Sequence, residues 1–284
     1  MPPRDIPTAR QARLGAELRK LRELAGKTAR EAAGLLSTDQ AKISHIEAGR
    51  IGISEERIRR LAVFYACDDR DLIEALCAIA RESRGQGWWD EYRGVLAPGF
   101  LDIGELENHA TYLRTVAVMT VPGILQTEDY IRAIHRSATP PLPAEEVDAR
   151  VEFRLKRRSI FDRDTPPPFR VIVHEAALRM RFGGRKVAKG QLEYLLEASE
   201  WPTVTVRVIP FTCEDFVEAT YPLLYAGELC RNSTRFRWTV LWVASSSLRP
   251  AQLKRYVGML DTAERSSLSE LESAQLIHRI AREL

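Results

Sequence analysis

Residues 28–50 read TAREAAGLLSTDQAKISHIEAGR, and this stretch decides the fold of the first part of the chain. Thr28 stands three residues before Glu31. That spacing predicts a capping box, in which each side chain satisfies the other residue's orphan backbone N–H, so a helix opens at Thr28. Ala32, Leu35 and Leu36 follow at helical spacing and form its inner face. Asp39 predicts a second N-cap, because its carboxylate can accept the first N–H groups of a following helix. That helix carries Ile43 and Ile46, three apart and facing inward, and ends near Gly49. Two helices joined so tightly must approach closely, and Ala33 is the small side chain that allows it. At about 100° per residue, Ala41, Ser44, His45 and Ala48 point away from the core. Gln40 and Lys42 lie at the exposed amino-terminal end of the same helix.

Working outward, Leu14, Leu18, Leu21 and Ala25 place one apolar stripe on an earlier helix, which Gly26 stops. Ser54 caps a fourth helix with Ile58, Leu61, Ala62 and Tyr65 inward. Asp69 or Asp71 opens a fifth, containing Leu72, Ile73, Leu76, Ile79 and Ala80. Gly85-Gln86-Gly87 breaks the pattern and predicts a domain boundary. The expected fold class is α+β: an all-α domain of five helices over residues 1–85, then a mixed α/β domain over residues 88–284. In the second domain helices are expected over 105–118, 127–136, 144–162, 188–199, 250–264 and 268–283. Strands are expected over 169–174, 204–210, 223–226 and 238–243, the last a mostly apolar run suited to a sheet interior. Trp88-Trp89 is expected to pack a domain junction, with the lining of a ligand pocket as the alternative.

Composition narrows the class. The 284 residues are 45% hydrophobic and 29% charged, as in soluble globular proteins. No apolar run approaches the roughly 20 residues that a membrane span needs. The opening residues, MPPRDIPTARQ, lack the apolar core of a signal peptide. A cytoplasmic chain without a membrane partner is therefore expected. Nine residues separate Cys67 from Cys77 and sixteen separate Cys213 from Cys230, so neither pair has zinc-knuckle spacing. Reduced structural thiols are expected, with no metal and no cofactor. The net charge of +3 is unevenly placed: residues 1–60 hold 13 Lys/Arg and 8 Asp/Glu, while residues 88–284 hold 26 of each. The positive excess sits where the two short helices lie, which suits a polyanion partner.

Two short helices in this arrangement suit DNA, because one is held across the backbone while the other enters the major groove. The stretch over residues 10–65, most specifically Lys42-Ile43-Ser44-His45-Ile46-Glu47-Ala48-Gly49-Arg50, resembles the helix-turn-helix of phage-repressor and xenobiotic-response-element (XRE) type regulators. The family usually has glycine where this chain has Ser37, in a turn that the resemblance implies is left-handed, so that a non-glycine residue there costs on the order of 1 kcal/mol. The resemblance implies a sequence-specific transcriptional regulator whose partner is double-stranded DNA and whose place is on the nucleoid. It implies that Gln40, Ala41, Lys42, Ser44 and His45 face the bases, and that Thr28, Ala29, Arg30 and Arg50 meet phosphates. It also implies a structural pair between Arg22 and Glu47.

The remainder carries a second resemblance. Trp88-Trp89, the block 121–130 (VPGILQTEDY), Arg154, Arg157 and Arg158, the stretch 174–179 (HEAALR) and Gly183-Gly184 resemble a carboxy-terminal domain of actinobacterial XRE regulators, WhiJ-like regulators among them. Similar proteins are antitoxin-like regulators encoded beside a small partner protein. The resemblance implies a homodimer whose second domain senses a small ligand or a protein from a neighbouring gene. The alternative is an antitoxin-like module that sequesters that partner, with DNA binding secondary. Catalysis is not expected: His109, His135, His174 and His278 stand in no HExxH, and GxSxG, P-loop and GxGxxG motifs are missing. His174 is expected as a satisfied polar group at a sheet edge.

Overall fold

Capping chemistry sets the first five helices of the computed structural model, which describes residues 7–81, 87–214, 222–229, 237–242 and 250–284. Gly85, Gln86, Cys230 and residue 243, all part of the sequence expectations, lie outside the described residues. The helices are α1 (Ala9–Leu24), α2 (Ala29–Leu35), α3 (Gln40–Glu47), α4 (Glu55–Phe64) and α5 (Arg70–Arg81). Thr28, Asp39 and Ser54 cap α2, α3 and α4 as their spacing predicts. Asp69, not Asp71, serves α5, its carboxylate accepting from the Leu72 N–H at 2.9 Å.

The first four helices end alike. After each, the residue past the cap has positive φ, and the next N–H bonds back to a carbonyl of the last turn, which is the Schellman arrangement. Gly26 and Gly49 fill that position after α1 and α3, Ser37 (φ 50) after α2 and Ala66 (φ 53) after α4. The closing bonds are Lys27 N to Arg22 O (3.0 Å), Thr38 N to Ala33 O (2.9 Å), Arg50 N to His45 O (2.8 Å) and Cys67 N to Ala62 O (2.9 Å). Between these stops, Leu14, Leu18, Ala33, Ile43, Ile46, Ile58, Leu61, Leu72 and Leu76 build one continuous core.

The described chain divides into two compact units. The five helices make up the bulk of one, and a mixed sheet with its helices makes up the bulk of the other. The sheet consists of β1 (Tyr112–Ala117), β2 (Phe169–His174), β3 (Val204–Ile209), β4 (Leu223–Leu229) and β5 (Arg237–Trp242), in the order β3-β2-β1-β4-β5. β1 runs parallel to β2 (Thr115 opposite Val171), and β2 parallel to β3 (Val171 opposite Val206). β4 returns antiparallel along β1 (Thr115 opposite Leu224). Parallel neighbours need long crossovers. Between β1 and β2 these are α7 (Glu128–Arg136) and α8 (Ala144–Lys156); between β2 and β3 they are α9 (Glu175–Arg179) and α10 (Arg185–Ser199). α6 (Pro98–His109) precedes β1, and α11 (Pro250–Arg265) and α12 (Glu270–Glu283) come last. Val116, Ile172, Ile209, Leu223 and Tyr225 pack with Leu260 and Ala263 of the penultimate helix.

The α+β expectation therefore holds, with three corrections. The helix expected over 105–118 stops at His109, and β1 follows. Tyr112–Ala117 is rich in β-branched and aromatic residues, and pairing on both sides overrides its weak helical spacing. Of the apolar run 238–243, expected inside the sheet, residues 238–242 fall in an edge strand. His174 ends the interior strand β2 instead of lying at an edge, and is satisfied as expected, its Nδ1 accepting from the Ala176 N–H at 3.1 Å. Cys67, Cys77 and Cys213 are free thiols. Among the described residues, no helix is long and apolar enough to cross a membrane, and no His, Cys, Asp and Glu cluster that could hold a metal ion is present.

Candidate nucleic-acid interface

The position of α3 is fixed from two sides. Gly15 on α1 lets the end of α3 come close: a Cβ there would stand 2.5 Å from the carbonyl oxygens of Ile46 and Glu47. Gly49 does the reverse, since its Cβ would stand 2.7 Å from the Gln11 carbonyl oxygen. Arg22 then clamps Glu47 with two bonds, Nε to Oε1 at 2.6 Å and NH2 to Oε2 at 3.0 Å, and its NH1 donates to the Lys27 carbonyl at 2.9 Å. The hydrogen bond to Glu47 pushes the Arg22 pKa above its ordinary value. The two side chains are only 12% and 9% exposed. Bonds between ionised groups in such a setting are roughly twice as strong as neutral ones. The pair that the family resemblance implied is present and ties α1 to α3.

With Ile43 and Ile46 buried, Gln40, Ala41, Ser44 and Ala48 are exposed on the opposite face of α3, and Lys42 and His45 are half-buried on its flanks. Asp39 Oδ1 accepts from the Lys42 N–H at 2.7 Å and so fixes the exposed end. The Ser44 hydroxyl donates to the Gln40 carbonyl at 3.1 Å, which leaves its oxygen to accept. At the start of α2, Thr28 and Arg30 are exposed and Ala29 is half-buried. Thr28 is already engaged: its N–H and its hydroxyl each donate to Glu31 Oε2 at 2.7 Å, and its oxygen accepts from the Glu31 N–H. These bonds hold the Glu31 carboxyl below its ordinary pKa. The groups that α2 offers a phosphate are then the first-turn N–H groups of Ala29 and Arg30 and the Arg30 guanidinium.

Several arginines of the unit are paired with acids. Arg19 bonds to Glu23, Arg22 to Glu47, Arg59 to Glu74 and Arg81 to Glu55, all within 2.8 Å. Arg30, Lys42 and Arg50, at the start of α2, the start of α3 and just past its end, have no acidic partner among the described residues. Lys27, Arg57, Arg60 and Arg70 likewise have none, so the cations expected to meet DNA are part of a larger uncompensated set.

Comparison with known families bears on both units. Residues 13–76 match the family described as a helix-turn-helix domain, and residues 100–279 match the domain of unknown function DUF5753. The chain belongs to the DUF5753 family. No curated protein matches it, and neither does any solved structure. The helix-turn-helix match over residues 13–76 makes this DUF5753 protein a DNA-binding regulator.

In the DUF5753 region the block 121–130 is built as a turn held from outside. Gly123–Leu125 form a single 3₁₀ turn. Gln191 of α10 grips both sides of it, accepting from the Thr127 N–H and donating to the Leu125 carbonyl, each at 2.8 Å. Thr127 stands at the N-cap position of α7, yet its side chain makes no cap bond; its hydroxyl is 3.4 Å from Gln191 Oε1. Arg157 pairs with Glu107 through two bonds of 2.6 Å in a buried site, and Arg158 donates to the carbonyls of Ile124 and Gln126. Sequence reasoning missed Gly15 and Ala66, of which only Ala66 had a readable signal, its place just past an amphipathic helix.

Proposed function

We propose that this DUF5753 protein is a sequence-specific, XRE-type transcriptional regulator that lays α3 in the major groove. The observation that carries the reading is the exposed face of α3, with Arg30, Lys42 and Arg50, at the start of α2, the start of α3 and just past its end, free of acidic partners among the described residues. Gln40 pairs with an adenine edge, Lys42 reaches guanine or phosphate, Ala41 touches a thymine methyl, and Ser44 and His45 complete the reading face. Thr28, Ala29, Arg30 and Arg50 fix register on the phosphates. The protein acts as a homodimer, since helix-turn-helix modules read paired half-sites about one helical turn apart. The DUF5753 domain senses a ligand or partner protein rather than catalysing, a reading supported by the WhiJ-like resemblance and the missing catalytic motifs. The site of action is the nucleoid in the cytoplasm.

Two substitutions test the assignment. Arg50→Ala weakens binding to all duplexes alike and lowers the slope of log K against log salt by about 1. Gln40→Ala leaves that slope unchanged and relaxes preference at one base pair, by about 1–3 kcal/mol. Identical effects of both on every duplex would contradict the assignment.

A further inference from the structure

A helix ends with four carbonyls that have no partner inside it, and the groups that meet them decide how the chain leaves. The chain passes from α2 to α3 through residues 36–39 alone. Three of the last four α2 carbonyls are met from within that turn. The Leu36 N–H donates to the Ala32 carbonyl at 3.2 Å, the Ser37 N–H to that of Gly34 at 3.2 Å and the Thr38 N–H to that of Ala33 at 2.9 Å. The fourth belongs to Leu35, and among the described residues no backbone N–H bonds to it. Its partner comes from another helix: Arg60 of α4 donates from NH2 at 2.6 Å, across 25 positions of sequence.

Arg60 is well placed for this bond. Ile58, Leu61 and Ala62 are buried, so α4 is anchored in the core on both sides of it. The adjacent Arg59 is taken by Glu74 at 2.6 Å, whereas among the described residues no carboxylate pairs with Arg60. Helix α2 has no basic residue in its own last turn. A cation at that end meets the negative pole of the helix dipole, and a charged donor makes a stronger bond than a neutral one. Ser37, two residues beyond Leu35, holds φ 50 without being glycine. A backbone of that kind persists where its surroundings impose it.

On the reading of α3 as the helix that meets the bases, we infer that Arg60 is a positioning residue for sequence recognition. By holding the Leu35 carbonyl it fixes the turn from which α3 departs, and so the angle at which the exposed Gln40, Ala41 and Ser44 are presented. Base edges are read by hydrogen bonds of narrow geometry, whereas phosphates are reached by long side chains and carry no sequence information. A loosened turn therefore costs recognition before it costs general affinity for DNA.

The full chain and two variants are titrated against the duplex from upstream of the protein's own gene and against random duplex of equal length, over a range of salt, well below their melting temperatures. Arg60 is exposed, so Arg60→Ala and Arg60→Lys leave the core intact. Arg60→Ala weakens binding to the upstream duplex about three- to tenfold and to random duplex by less than about twofold. The slope of log K against log salt stays that of the parent, because no phosphate contact is lost. Arg60→Lys keeps a charged donor and recovers most of the preference. A role in stability alone would lower the melting temperature and leave the ratio of the two affinities unchanged, and that result in Arg60→Ala overturns the inference. So does a slope lower by about 1 with both duplexes weakened alike, which makes Arg60 a phosphate contact. A parent without preference for the upstream duplex fails the reading of α3 itself, and the inference with it.

Discussion

Ser37 and Ala66 hold the same left-handed backbone that Gly26 and Gly49 hold after the neighbouring helices. Only glycine adopts it without a Cβ penalty, and Ser37 is exposed, so its side chain has little packing to lose. Ser37→Gly should therefore stabilise the protein by about 0.5–1 kcal/mol, after the greater entropy of glycine in the unfolded chain is allowed for. A rise in the urea midpoint at unchanged m-value checks this. Gly15 is the opposite case. Alanine there would press its Cβ to 2.5 Å from two backbone carbonyls of α3, which cannot move aside like a flexible side chain. Gly15→Ala should cost about 2–3 kcal/mol, read from the same urea curves. Ser37 was legible in the sequence, because helix stops are local. Gly15 was not: its role depends on where a helix distant in sequence passes.

Helix α2 brings its capping acid to the end where a phosphate is expected. Glu31 completes the box with Thr28 and is exposed, with its carboxyl held ionised by the two Thr28 donors. Glu31→Gln keeps the capping geometry and removes the repulsion. Tighter binding to every duplex is expected, by about two- to fivefold at low salt, with melting temperature nearly unchanged; equal or weaker binding would place the DNA away from this helix end. At this scale the sequence was most readable. Caps and apolar spacing located all five amino-terminal helices, since each is written within a few residues of the element it controls. β1 was misread because its strand character comes from partners far along the chain: β2 on one side and β4 on the other. The Arg22–Glu47 pair required a family resemblance, because nothing local joins residues 25 apart.

In the molecule as a whole, the amino-terminal unit announces its use in its sequence and the carboxy-terminal unit does not. A reading helix follows from spacing and charge. The buried ring of His135 predicts an acid response. His135 titrates at about 4 when folded, below its ordinary value of 6.5. Below pH 6.5 the unfolded chain takes up a proton that the folded one refuses. The contribution of His135 is thus fully present above that pH and is lost as pH falls toward 4. The loss should reach about 2–3 kcal/mol. In buffer free of phosphate and carboxylates, denaturation between pH 7 and 4 should show a shallower decline for His135→Phe than for the parent, and identical slopes would contradict the burial and neutrality of this ring.

The central claim is that the exposed face of α3 reads a DNA sequence. It is tested most directly by competing the duplex from upstream of the protein's own gene against random duplex of equal length, at two salt concentrations. Preference for the upstream duplex is expected at both, with binding to random duplex falling steeply as salt rises. Equal affinity for the two duplexes at both salt concentrations would contradict it.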